Sequence, residues 1–159
     1  DKYHNTFRRH TEEISLRDTL SKKLSNEIEF LAVLYHHPNI FLKIKDYVFV
    51  DLFSTDLLKE LAKEIFLSFE TSKKPNINYF ISKYSDVEEQ KIISNIFMNQ
   101  DERYFDTALL NKMLLDNIKI LNKNYIEMKL KTITDVKEIQ NLLFKKKELD
   151  RLYIDFING

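Results

Sequence analysis

The longest helical pattern of the chain lies in its last third. Between Thr107 and Lys131, Leu110, Leu114, Ile118, Leu121, Tyr125 and Met128 recur at steps of three or four. That is the spacing of one helix face. Val136 to Ile157 carries a second stripe, with Val136, Ile139, Leu142 or Leu143, Leu149, Leu152 or Tyr153, and Phe156. Only Thr132-Ile133-Thr134-Asp135 interrupts the two, and Asp135 with Glu138 suits a helix start. The pattern predicts two long helices joined by a short turn, an αα-hairpin. A helix of about 25 residues is roughly 38 Å long. Its second half should protrude from a bundle of shorter helices.

Upstream, Glu27 to His36 is apolar nearly all round, which predicts a helix buried at the centre of a bundle. Asn26 with Glu29 has the spacing of a capping box, and Pro38 should end the helix at His37. Ile40 to Val50 is ambiguous. Ile40, Phe41, Ile44, Tyr47 and Val48 fit a short helix, whereas Tyr47-Val48-Phe49-Val50 alone reads as a strand without a partner. Ser54 or Thr55 then caps a helix to about Phe69, with Leu57, Leu58, Leu61, Ala62, Ile65, Phe66 and Phe69 inward. Ile77, Phe80, Ile81 and Tyr84 mark a short helix. Ser85 with Glu88 reads as a second capping box, opening a helix with Ile92, Ile93, Ile96 and Phe97 inside. Asn99 to Asp101 is a polar break.

Composition sharpens this reading. The chain has one Gly, Gly159, and two Pro in 159 residues. Phosphate-cradling loops, nucleophile elbows and tight β-hairpins all draw on Gly for positive φ or close approach. An all-α fold follows, with a compact helical bundle, a long helix and a C-terminal helical hairpin. With 25 basic and 25 acidic residues the formal net charge is +0. A dedicated nucleic-acid binder needs a cationic surplus, so direct nucleic-acid binding is expected to be weak or absent. No Cys is present, which excludes disulfides, thiolate nucleophiles and Cys-based zinc sites. No apolar run reaches membrane-spanning length and no signal-peptide pattern opens the chain, so no membrane partner and a cytoplasmic location are expected. The chain begins at Asp1 without an initiator Met and reads as a fragment of a longer protein.

Candidate chemistry is sparse. His36 and His37 are adjacent, so on a helix they point about 100° apart and do not converge on one metal. Glu12-Glu13 lies in an apparent tail, and Glu88-Glu89 in a helix's first turn, where acids suit the macrodipole. No catalytic residue, metal site or cofactor is expected in this fragment. Lys145-Lys146-Lys147 is either a solvated face or a contact for phosphate or an acidic partner. Leu149, Leu152, Tyr153, Phe156 and Ile157 exceed what a two-helix hairpin can bury against itself. They either pack back on the bundle or form an interaction patch, with Lys145, Lys146, Lys147 and Arg151 as its rim.

Leu110-Asn111-Lys112-Met113-Leu114-Leu115-Asp116-Asn117-Ile118, Lys129 to Lys131, and Leu142-Leu143-Phe144-Lys145-Lys146-Lys147-Glu148-Leu149-Asp150-Arg151 resemble the end of bacterial DnaG-type primases. Ser25 to Phe41, with His37-Pro38-Asn39-Ile40-Phe41, is similar to the first helix of that family's C-terminal domain and the segment after it. The resemblance covers about Ser25 to Gly159. It implies a helicase-interaction domain, in which a helical bundle is followed by a hairpin that holds the N-terminal domain of the replicative helicase. Residues 1–24 would be the tail from the catalytic core, 25–121 the bundle and 122–159 the hairpin. The parent chain would make RNA primers, while this fragment would recruit it to the fork and modulate the helicase. Two alternatives stay open. One is the N-terminal domain of the replicative helicase, which also ends in a helical hairpin. The other is an unrelated helical regulatory or nucleic-acid-binding domain.

Overall fold

The computed structural model describes residues 24–98 and 106–156. Residues 1–23 of the expected tail, the break at Asn99 to Asp101 and Ile157 lie outside the described residues, while Leu24 is helical and packs on the core. Among those described, every regular element is a helix. No helix among them is long and apolar enough to cross a membrane.

The first helix, α1 (residues 24–36), is the centre of the bundle. Phe30, Leu31, Val33 and Leu34 on it are fully buried, as its all-round apolar character requires. Helical geometry already holds at residue 24. Asn26 is therefore inside the helix and not its cap, and the expected capping box is corrected. Glu29 looks outward from its own helix instead, accepting from Asn117 Nδ2 at 3.1 Å. His37 leaves helical geometry, and Pro38 takes the first position of α2 (Pro38–Ile44), where a missing N–H costs nothing.

Tyr47 to Val50 forms no strand. Phe49 is extended and a 3₁₀ turn runs Val50–Leu52, with Val48, Leu52 and Phe53 buried. Helix α3 (Asp56–Thr71) starts at Thr55, whose hydroxyl accepts from Leu58 N–H at 3.2 Å. Ser54 has a different task. Its N–H and Oγ both donate to the carboxylate of the fully buried Glu27, at 2.5 and 2.7 Å. This ties the start of α3 to the start of α1.

Helix α4 (Ile77–Lys83) is capped by Asn76. It is clasped to α3 by Glu60, which accepts from Lys83 Nζ and Tyr84 OH, both at 2.6 Å. Helix α5 (Val87–Met98) follows. Asp86 Oδ2 accepts from Glu88 N–H at 3.2 Å, so the expected cap at Ser85 moves one residue on.

Helix α6 (Thr107–Leu130) is the longest among the described residues, at 24 residues, and Asp106 caps it through the N–H groups of Ala108 and Leu109. Leu110, Leu114, Ile118 and Leu121 enter the bundle core. Past Leu121, α6 is covered by α7 (Val136–Arg151), which opens at Asp135 as expected.

The end of the chain differs from the sequence reading. Helix α7 stops at Arg151 and does not run to Ile157. Leu152 is extended, with φ −63° and ψ 128°. Leu152, Ile154 and Phe156 then alternate inward, the period of an extended segment. Leu152 and Ile154 pack on the bundle, and Phe156 joins the same buried cluster as Phe30 and Leu114.

Candidate docking groove

A groove of about 600 Å³ runs between the 46–49 loop, the middle of α6 and the end of α7. Its loop wall is Asp46, Tyr47 and Phe49, and its α6 floor is Asn122, Tyr125 and Ile126. The far wall comes from Lys145, Glu148, Leu149, Arg151, Leu152 and Tyr153. A second hollow of about 440 Å³ shares Tyr125 and continues along the α6–α7 seam to Thr132 and Ile133. Together they make a furrow from the hairpin tip to the bundle.

The floor is held in place from both sides. Asn122 Nδ2 donates to the carbonyls of Tyr47 at 3.1 Å and of Ile118 at 2.8 Å. This fixes the loop against α6. The Tyr125 ring meets Phe49 edge-on, with centroids 4.8 Å apart. Lys129 Nζ lies 5.5 Å from the Tyr125 centroid, a favourable cation–π position. Two ion pairs hold α7 on α6. Lys146 meets Glu127 at 3.1 Å, and Lys123 donates to Asp150. That hydrogen bond, with the charge behind it, holds the Asp150 carboxyl below its ordinary range.

The nine residues singled out from the sequence separate into distinct environments. Lys145, Leu149, Arg151, Leu152 and Tyr153 come together at the groove. Of the four apolar ones among the described residues, only Tyr153 is a large exposed surface, at 73%. Leu149 is 7% exposed and Phe156 4%, so both are packed residues. Leu152 is half-buried against the core. Of the two alternatives, packing back on the bundle holds for Leu149, Leu152 and Phe156, and Tyr153 is left as exposed surface. Lys146 is engaged by Glu127, whereas Lys147 is exposed away from the groove. Ile157 is outside the described residues.

Sequence reasoning missed Asp46, Tyr47, Phe49, Asn122 and Tyr125 as a set. The available signal was the aromatic run Tyr47-Val48-Phe49. With no sheet to join, its alternate residue Phe49 had to find another ring. The charges at the groove are mixed, with Lys145 and Arg151 against Asp46 and Glu148. Aromatic floor, exposed Tyr153 and charged rim are the ingredients of a protein-docking surface.

The Glu60 cluster is a structural clasp. The Glu60 carboxyl is held below its usual range by hydrogen bonds from Lys83 and Tyr84. The Tyr84 hydroxyl is pushed up to about 12, by burial first and then by its bond to Glu60, so it stays protonated. The His36 pKa is lowered chiefly by burial, with the Ile96 backbone opposing the shift, and its Nε2 is buried without a hydrogen-bond partner among the described residues. Among the described residues no three His, Asp or Glu side chains gather as a metal site would. Comparison with protein-family models, curated proteins and solved structures returns no match.

Proposed function

We propose that this chain is the helicase-interaction domain of a bacterial DnaG-type primase, and that the furrow of the α6–α7 hairpin receives the N-terminal domain of the replicative helicase. The reading starts from the sequence resemblance between Ser25 and Gly159. The observation that carries it furthest is the groove, which gathers Lys145, Leu149, Arg151, Leu152 and Tyr153 from the very segment where the resemblance is densest.

The mechanism is recruitment. A contact of moderate strength tethers the parent polymerase to the moving helicase and raises its effective concentration at freshly unwound single strand. Tyr153 is the anchor, since it presents a large aromatic surface with a polar tip at the groove edge. Lys145 and Arg151 steer the encounter and fade with salt. The fragment itself supplies docking, and primer synthesis belongs to the rest of the parent chain. Cytoplasmic location follows from that role.

The test is a titration of the domain against the replicative helicase from the same organism, by calorimetry or anisotropy. Saturable binding that Tyr153→Ala weakens about tenfold or more, with an unchanged melting temperature, supports the reading. Absence of binding by the wild-type chain refutes it.

A further inference from the structure

The five described residues after α7, 152–156, have a role that their apolar side chains alone do not explain. Their backbone is tied to the bundle from two directions. Lys43 Nζ, on α2, donates to the carbonyls of Asp155 at 3.3 Å and Phe156 at 3.0 Å. Asn111 Oδ1, on α6, accepts from Phe156 N–H at 2.8 Å. The last helix-type bond of α7 runs from Leu152 N–H to Leu149 O. Beyond it, the strap is held by these ties, by the buried Phe156 ring and by Leu152 and Ile154 packed on the bundle, among other contacts.

We propose that residues 152–156 are a latch, whose docking on the bundle completes the wall of the groove and sets its competence to bind a partner. Leu152 and Tyr153 lie on the groove and directly precede the tied residues. Leu152 is also held by its N–H bond to Leu149 O and by packing on the core, whereas Tyr153 is exposed and takes its position from the ties at Asp155 and Phe156. Lys43 and Asn111 do not line the groove, so they act as positioning residues. A segment held by a few contacts opens locally, without global unfolding. A partner that binds only the latched form sees an affinity scaled by the latched fraction.

For the identity of the partner this inference rests on the helicase reading. The latch itself is decided on the isolated 159-residue chain. Backbone amide spectra and hydrogen exchange are recorded for the wild type, Lys43→Arg, Lys43→Met and Lys43→Met/Asn111→Ala. The Lys43 ties are charge-assisted, so Lys43→Met should speed strap exchange about tenfold, with buried α3 amides unchanged. The double variant should open the strap further. Resonances of residues 46–49 and 122–126 should move in proportion, and Lys43→Arg should restore much of the wild-type pattern. Strap exchange that stays at the wild-type rate in the double variant overturns the latch. So does faster strap exchange with no change across the groove.

Helicase affinity is then measured over the same series. Affinity that falls with the latched fraction supports the coupling. A chain whose spectrum is mostly unlatched, yet binds as tightly as wild type, overturns it. A wild-type chain that does not bind helicase refutes the helicase reading, while the exchange data still decide the latch.

Discussion

Ser72 ends α3 in the left-handed region, with φ 60° and ψ 15°. A side chain there costs about 1 kcal/mol, which is why Gly usually takes this position. With Gly confined to position 159, a serine does the work. Ser72→Gly should stabilise the domain by about 0.5 kcal/mol after the added freedom of the unfolded chain is deducted. Ser72→Val should destabilise it, and thermal melts of the two variants check the order. His36 offers a second test at this scale. Burial lowers its pKa from 6.5 in the folded chain, and His37 is lowered too, by burial and by the neighbouring His36. The unfolded chain therefore takes up protons first as pH falls. Stability is full above about pH 6.5 and is lost progressively below it, toward the folded-state values. Urea midpoints at pH 7.5 and 5.5 should differ in the wild type, and the gap should shrink in His36→Gln. An equal gap in both would assign the pH dependence to other groups.

At the level of elements, the caps divide according to how local their signals are. Asp135 was legible because it stands alone before an apolar run, and Thr55 only as one of the pair Ser54 or Thr55. The caps read at Asn26 and Ser85 did not hold. Residues 24 and 25 are already helical, so Asn26 is not a cap, and Asp86 outcompetes Ser85 with a charged acceptor. The stripe of α6 shows a different limit. Its regular steps hold through Leu121, but the buried residue beyond is Ile126, while Tyr125 is half-buried and Met128 exposed. The helix leaves the bundle there and meets α7 on another side, so the apolar face rotates. One spacing rule cannot describe two environments. The join between α1 and α3 was invisible for a related reason, since Glu27 and Ser54 are distant in sequence. Replacing Glu27 by Leu would remove the carboxylate that accepts from both Ser54 donors. Glu27→Leu should cost about 1–3 kcal/mol, measured as a shift in the denaturation midpoint. A stability unchanged from wild type would show that water satisfies both Ser54 donors.

Over the whole molecule, the decisive distinction is between Phe156 and Tyr153. They stand three residues apart and look alike as sequence, as two aromatic residues at the end of an apolar stripe. The alternation from Leu152 to Phe156 was the clue that the stripe had changed period, and helical spacing concealed it. Folding back places Phe156 in the bundle core at 4% exposure and leaves Tyr153 at the groove at 73%. The two residues should therefore fail differently. Phe156→Ala removes a buried ring from a shared core and should cost about 3 kcal/mol or more, lowering the melting temperature by several degrees. Truncation after Arg151 should do at least as much, because it removes the ring together with its ties. The bundle thus depends on a residue from the segment that sequence spacing assigned to the hairpin. Tyr153→Ala removes surface that the folded chain does not pack, so its melting curve should match wild type within about 0.5 kcal/mol. Its loss should appear instead in the titration against helicase. A Tyr153→Ala chain as unstable as Phe156→Ala would place that ring in the fold and withdraw it from the docking surface. A pair of melts and a pair of titrations separates the residue that builds the groove from the residue that uses it.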